Sequence, residues 1–139
     1  MQMFEKWCSI RGESAIPASP TIIARFIADI APLGIDRVWP AVLEISRAHY
    51  MIGLPDVTIS YPVTMAINEI ANIPAPRSWP AAEKARFKTL PYDMQLVISK
   101  READRDKQIR QLQNEFAQLK KEAENAASPT IADTAAVAA

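Results

Sequence analysis

The sequence predicts an all-α protein: a four-helix bundle followed by a short helix and a long C-terminal helix. Three observations carry that expectation. Punctuation is by proline rather than glycine, 11 against 3, which suits helix starts and loops better than hairpins. No long stretch alternates apolar and polar residues as a half-buried strand would. In segment after segment, apolar residues instead recur at i, i+3 and i+4. With 49% hydrophobic residues in a chain of 139, there is material for one compact domain plus an appendage, not for two full domains.

Phe4, Trp7 and Cys8 lie on one face of a first helix that Gly12 can close. Ser19-Pro20 is a helix start, serine as cap and proline in the first turn. Ile22, Ile23, Phe26, Ile27 and Ile30 form the apolar face of that second helix, which Pro32 and Gly34 end. A third helix carries Val38, Val42, Ile45, His49 and Ile52 on one stripe and stops at Gly53. Its start is open: Asp36 is a natural cap, but Pro40 disfavours helical geometry at Trp39, so the regular helix can also begin at Pro40. A fourth helix opens near Pro62 with Val63, Ile67, Ile70 and Ala71 as its buried set, and Pro74 and Pro76 stop it. The expected divisions are therefore 1–72 for the bundle, 73–92 for a Pro-rich hinge (IPAPRSWP) with a short helix from Ala81 to Leu90, 93–126 for a long charged helix capped by Asp93, and 127–139 for a disordered tail.

In the long helix Ile109, Leu112, Phe116, Leu119, Ala123 and Ala126 recur at 3-4-3-4-3 spacing, as coiled-coil a and d positions do. The register extended backwards meets Arg105 and Glu102, so the apolar seam covers barely three heptads. Self-association through Ile109, Leu112, Phe116 and Leu119 gives a homodimer; the same face can equally pack on its own domain. Asp106 and Arg110 are spaced for an i, i+4 ion pair.

The formal net charge is zero, so no global field draws the chain to nucleic acid or membrane. Locally, residues 61–92 carry four basic and two acidic groups, the only net positive stretch. Its cations are Arg77, Lys84, Arg86 and Lys88, and the segment reads either as a basic patch or as an ordinary solvated surface. Cys8 is the lone cysteine, which excludes an intrachain disulfide and fits a reducing, cytoplasmic compartment. No apolar run approaches bilayer length.

Enzymatic chemistry has little to build on. One His and one Cys are too few for a structural His/Cys metal site, and no HExxH, GxSxG, GxGxxG or P-loop pattern occurs. No metal, cofactor or small-molecule substrate is expected, and no catalytic residue is assigned. His49 lies on an apolar stripe and reads as a hydrogen-bonded core histidine. Tyr50, Tyr61 and Tyr92 lack the neighbouring basic cluster that would activate a nucleophile.

Several stretches in order resemble one family. They are F-x-x-W-C (4–8), R-G-E-S-A-I-P-A-S-P (11–20), I-I-A-R-F-I-A-D-I-A (22–31), I-S-R-A-H-Y-M-I-G-L-P-D (45–56), and the V-x-x-x-I pair at 63 and 67. Together they resemble the N-terminal core-binding, SAM-like domain of tyrosine recombinases and phage integrases. The resemblance implies a four-helix bundle forming half of a clamp on duplex DNA, with the second and fourth helices against the DNA. The family's catalytic domain, with its Arg, Lys, His and Tyr cluster, has no counterpart in these residues, and Pro40 inside the third helix is unusual for it.

The function expected on this basis is a non-catalytic DNA-binding accessory protein, dimeric through the C-terminal helix. Arg25, Asn68, Asn72, Arg77, Lys84, Arg86 and Lys88 are the candidate DNA-binding residues. Asn68 and Asn72, four apart on the fourth helix, would project side by side towards adenine edges. The four cations from 77 to 88 would sit on phosphates. The rival readings are an adaptor that kept the bundle for protein contacts, and the non-catalytic part of a split or decayed integrase.

Overall fold

Phe4, Trp7 and Cys8 are buried on the first helix, α1 (Gln2–Arg11), and Gly12 ends it at φ 69° and ψ 26°, a left-handed cap that returns its N–H to the last turn. In the computed structural model, which describes the backbone of residues 1–138 and the side chains of 1–127, every regular element among the described residues is helical. Helix α2 (Pro20–Ile30) begins as its sequence requires: Ser19 Oγ accepts the Ile22 N–H at 3.2 Å and Pro20 occupies the first turn. Ile23, Phe26 and Ile27 are buried, while Ile22 and Ile30 pack at the margin of the core.

Helix α3 (Ile35–Met51) starts at neither of the two expected places. Gly34, at φ 85°, supplies the turn from the preceding 3-10 segment Ala31–Leu33, and its carbonyl accepts the N–H groups of Arg37 and Val38. Asp36 thus lies in the first turn, and Pro40 sits inside the helix on an exposed face. That proline removes one N–H donor from the ladder, a cost the rest of the helix tolerates. Val38, Val42, Ile45 and His49 are buried as the stripe requires, but Ile52 falls outside the helix and is exposed.

After a 3-10 turn at Val57–Ile59, helix α4 (Tyr61–Ala71) carries Pro62 in its first turn. Its buried set is Val63, Thr64, Ile67 and Asn68, so the core-facing stripe is rotated from the expected one, and Ile70 and Ala71 are only half buried. Helices α2 and α4 form the most extensive helix pair, with α3 against α4 and α1. Phe4, Trp7 and Phe26 meet at the centre, with ring centroids 4.9 Å apart for Phe4–Phe26 and 5.6 Å for Trp7–Phe26.

The Pro-rich stretch 73–80 is not a boundary. Residues Met1–Ser99 form one compact unit, which includes α5 (Ala81–Phe87) and the start of α6 (Tyr92–Ala138); a second unit begins at Lys100. Within the first unit Tyr92 stands edge-on to Trp39 at 5.0 Å. Helix α6 opens at Tyr92, so Asp93 lies in its first turn rather than capping it. The disordered tail expected at 127–139 lies, beyond residue 127, outside the residues with described side chains.

The turn between α3 and α4 is held by one carboxylate. Asp56 Oδ1 accepts from the Thr58 N–H at 2.9 Å and the Thr58 hydroxyl at 2.6 Å, and Oδ2 accepts from the Ser46 hydroxyl at 2.8 Å. Burial alone would push its pKa up, but the bonds from Thr58 and Ser46 outweigh it and hold the carboxyl below its ordinary value. A group depressed in the folded state contributes stability above its unfolded pKa of about 3.9, and that contribution is lost as pH falls through the folded value. Acidification below about pH 4 should therefore lower the thermal midpoint. Asp56→Asn should cost about 1–2 kcal/mol at neutral pH and flatten that acid dependence. An unchanged acid slope in the variant would show that another carboxylate controls it.

Candidate nucleic-acid interface

The four cations of 77–88 ride on a segment tied to the bundle by two buried amides. Asn68 Nδ2 donates to the carbonyls of Lys88 at 2.9 Å and Leu90 at 2.8 Å. Gln95 Nε2 donates to the carbonyl of Phe87 at 2.8 Å. Phe87 is fully buried and meets the Trp79 ring edge-on at 5.8 Å. Thr89 closes the last turn by donating its hydroxyl to the Arg86 carbonyl. Seven residues of helix have little stability alone, so these contacts fix where α5 points.

On that support Arg77, Arg86 and Lys88 are exposed and Lys84 is partly so. Among the described residues none of the four takes part in an ion pair. Arg25 differs: it is exposed, but its Nη1 lies 3.9 Å from Glu13 Oε1, a loose pair that answers its charge. Asp29, four residues further along α2, accepts from Trp7 Nε1 at 2.9 Å and Arg11 Nη2 at 3.1 Å, while the Arg11 guanidinium stacks 4.3 Å over the Trp7 ring.

The two asparagines expected to read bases border one groove but differ in what they are free to bond. Asn68 is 9% exposed and its amide nitrogen is committed to the 88–90 turn. Asn72 has left the helix: it is the left-handed C-cap, at φ 47° and ψ 48°, and its N–H returns to the Asn68 carbonyl. Its side chain is exposed. Nothing in the helical periodicity distinguishes a buried, carbonyl-binding asparagine from a solvated one; only the positions of Lys88 and Leu90 reveal it.

Beside α4 runs a groove of about 500 Å³, bordered by Met65, Glu69, Asn72, Ile73 and Lys88. Asn68 Oδ1 and Gln95 Oε1, which border it too, are buried acceptors without a partner. Glu69 and Lys88 balance in charge on its wall, and the two open acceptors call for a hydrogen-bond donor rather than an anion.

The remaining reactive groups are occupied. His49 is 1% exposed; its Nε2 accepts the Ala18 N–H at 3.0 Å while Nδ1 faces the Ile45 carbonyl at 2.8 Å, which fits the neutral tautomer with hydrogen on Nδ1. Cys8 is buried, and that burial raises the pKa of its thiol, so it is a poor nucleophile. Among the described residues no His, Cys, Asp and Glu side chains gather as a metal site, and no helix is long and apolar enough to cross a membrane. Compared with known proteins, the chain matches no family model, no curated protein and no solved structure.

Proposed function

We propose that this chain is a non-catalytic accessory protein that seats its helical bundle on duplex DNA through phosphate contacts. The supporting observation is the set Arg77, Lys84, Arg86 and Lys88, unpaired among the described residues and held on a segment fixed by Asn68, Gln95 and Phe87. Contacts of this kind position a protein without reading sequence. With Asn68 committed to the backbone of the 88–90 turn, base readout from α4 has no support, and binding is expected to be nearly indifferent to sequence.

A fluorescence titration against random duplex DNA at two salt concentrations tests the reading. Four phosphate contacts give a slope of about −3.6 in log affinity against log salt, roughly a 10²-fold loss over a fourfold rise in salt. Replacing any one of the four cations by Ala should weaken all duplexes alike and reduce the slope by about one unit. Asn68→Ala removes no charge, yet it should weaken DNA binding by releasing the 88–90 turn, without changing sequence preference. A salt-independent affinity, or none, overturns the proposal.

One observation favours an adaptor instead. Tyr50, Met51, Ile52, Ile59 and Tyr61 are all exposed large apolar residues within a short stretch of chain at the end of α3 and the start of α4. Such a concentration marks protein-contact surface. That reading takes precedence if the titration finds no DNA.

A further inference from the structure

The part of α6 that follows Lys100 presents its apolar residues to solvent. Ile109, Leu112, Phe116 and Leu119 are 43%, 64%, 70% and 64% exposed. Their spacing places Ile109 and Phe116 at a, and Leu112 and Leu119 at d. The β-branched Ile109 at a, with leucine at both d positions, favours two strands. The seam has a defined N-terminal limit: the preceding a and d positions are Glu102 and Arg105, bonded to each other at 2.8 Å on the same helix.

We infer that this helix pairs with a second copy of itself as a parallel two-stranded coil. Orientation follows from the charges flanking the seam. Arg101 and Glu115 occupy g; Asp106 and Lys120 occupy e. In a parallel pair each g residue meets the e residue five places on in the partner helix, so Arg101 meets Asp106 and Glu115 meets Lys120, each twice by symmetry. Both contacts are attractive, and the intervening pair, Gln108 with Gln113, is neutral. An antiparallel pair centred on the same seam sets g against g and e against e: Asp106 again meets Lys120 twice, but Glu115 meets Glu115 of the other strand, so it has two attractive contacts and one repulsive where the parallel pair has four attractive. All four charged residues are available, since none has an ion pair among the described residues. Arg110 does not compete for Asp106 as its spacing suggested: its Nε donates to the Asp106 backbone carbonyl at 3.4 Å, not to the carboxylate.

Fewer than three apolar heptads make the association weak, so monomer and dimer should exchange reversibly. The inference stands apart from the DNA reading and survives or fails without it. Sedimentation of the full chain from micromolar to millimolar concentration should show the dimer forming. Leu112→Asp with Leu119→Asp should leave a monomer throughout, with the thermal transition of the bundle retained. Glu115→Lys alone and Lys120→Glu alone should each weaken the dimer about tenfold, because two attractive contacts become repulsive in each case. Combining the two should restore it. A monomer at millimolar concentration, or a dimer that persists in the doubly substituted seam, overturns the inference. So does Glu115→Lys tightening the dimer, or failure of the combined swap to restore it.

Discussion

His49→Ala should destabilise the protein by about 3–4 kcal/mol, a large share of a small domain's total. Three losses combine. The cavity left by a fully enclosed imidazole cannot collapse, because its neighbours Ile45 and Val42 are fixed on the same buried helix face. The Ala18 N–H, whose acceptor is Nε2 at 3.0 Å, is left as a buried orphan donor. The Ile45 carbonyl loses its contact with Nδ1 as well. The consequence reaches beyond the core, because Ala18 precedes the Ser19 cap of α2, so His49 ties the entry of α2 to α3. His49→Gln keeps an acceptor and a donor on a side chain of similar reach and should recover part of the loss. Urea unfolding of the three proteins measures it. A cost below about 1 kcal/mol for the alanine variant would mean that the loop before α2 holds itself.

That histidine shows how much of the fold the sequence discloses. Its place on the stripe Val38, Val42, Ile45 marked it as a core residue, and the structure adds only the identities of its two partners. Helix α2 was equally legible, since Ser19, Pro20 and the five apolar residues that follow all specify one element. Where two local rules compete, the sequence is ambiguous. Pro40 argued for a helix starting there, but Gly34 can adopt φ 85° and open α3 at Ile35, five residues earlier. One missing N–H does not outweigh a whole amphipathic helix packed on α1 and α4.

The candidate site was less legible, for a different reason. The cations of 77–88 could be found by charge alone, but the groups that position them could not. Asn68 reads as a surface residue on α4 until α5 and the turn after it bring the Lys88 and Leu90 carbonyls within 2.9 Å and 2.8 Å. Contacts between residues 20 and 22 apart leave no trace in a period of 3.6. The proline run 73–80 misleads in the same way: it looks like a linker, yet Trp79 and Phe87 close over its far side. The apolar seam of α6 lies at the opposite extreme, because its pattern is periodic and needs no partner from the bundle to be read.

Phe87→Ala should have the other large effect, about 3–5 kcal/mol by unfolding, and it separates two ideas about the basic segment. Phe87 is 0% exposed but lies apart from the main cluster around Phe26, in a smaller core with Trp79. Removing the ring should loosen α5 before it unfolds the bundle, since the segment is otherwise held chiefly by the Asn68 and Gln95 amides. Limited proteolysis should then cut between residues 77 and 91 while the cores of α1 to α4 stay protected. Every positive charge is still present in this variant. If the cations act as a fixed set, DNA affinity falls although net charge is unchanged, because four phosphate contacts must now be ordered on binding at an entropic cost. If affinity and salt slope both persist in a protein whose α5 is demonstrably cleavable, the cations bind as a loose cluster, and the buried amides and Phe87 serve only stability.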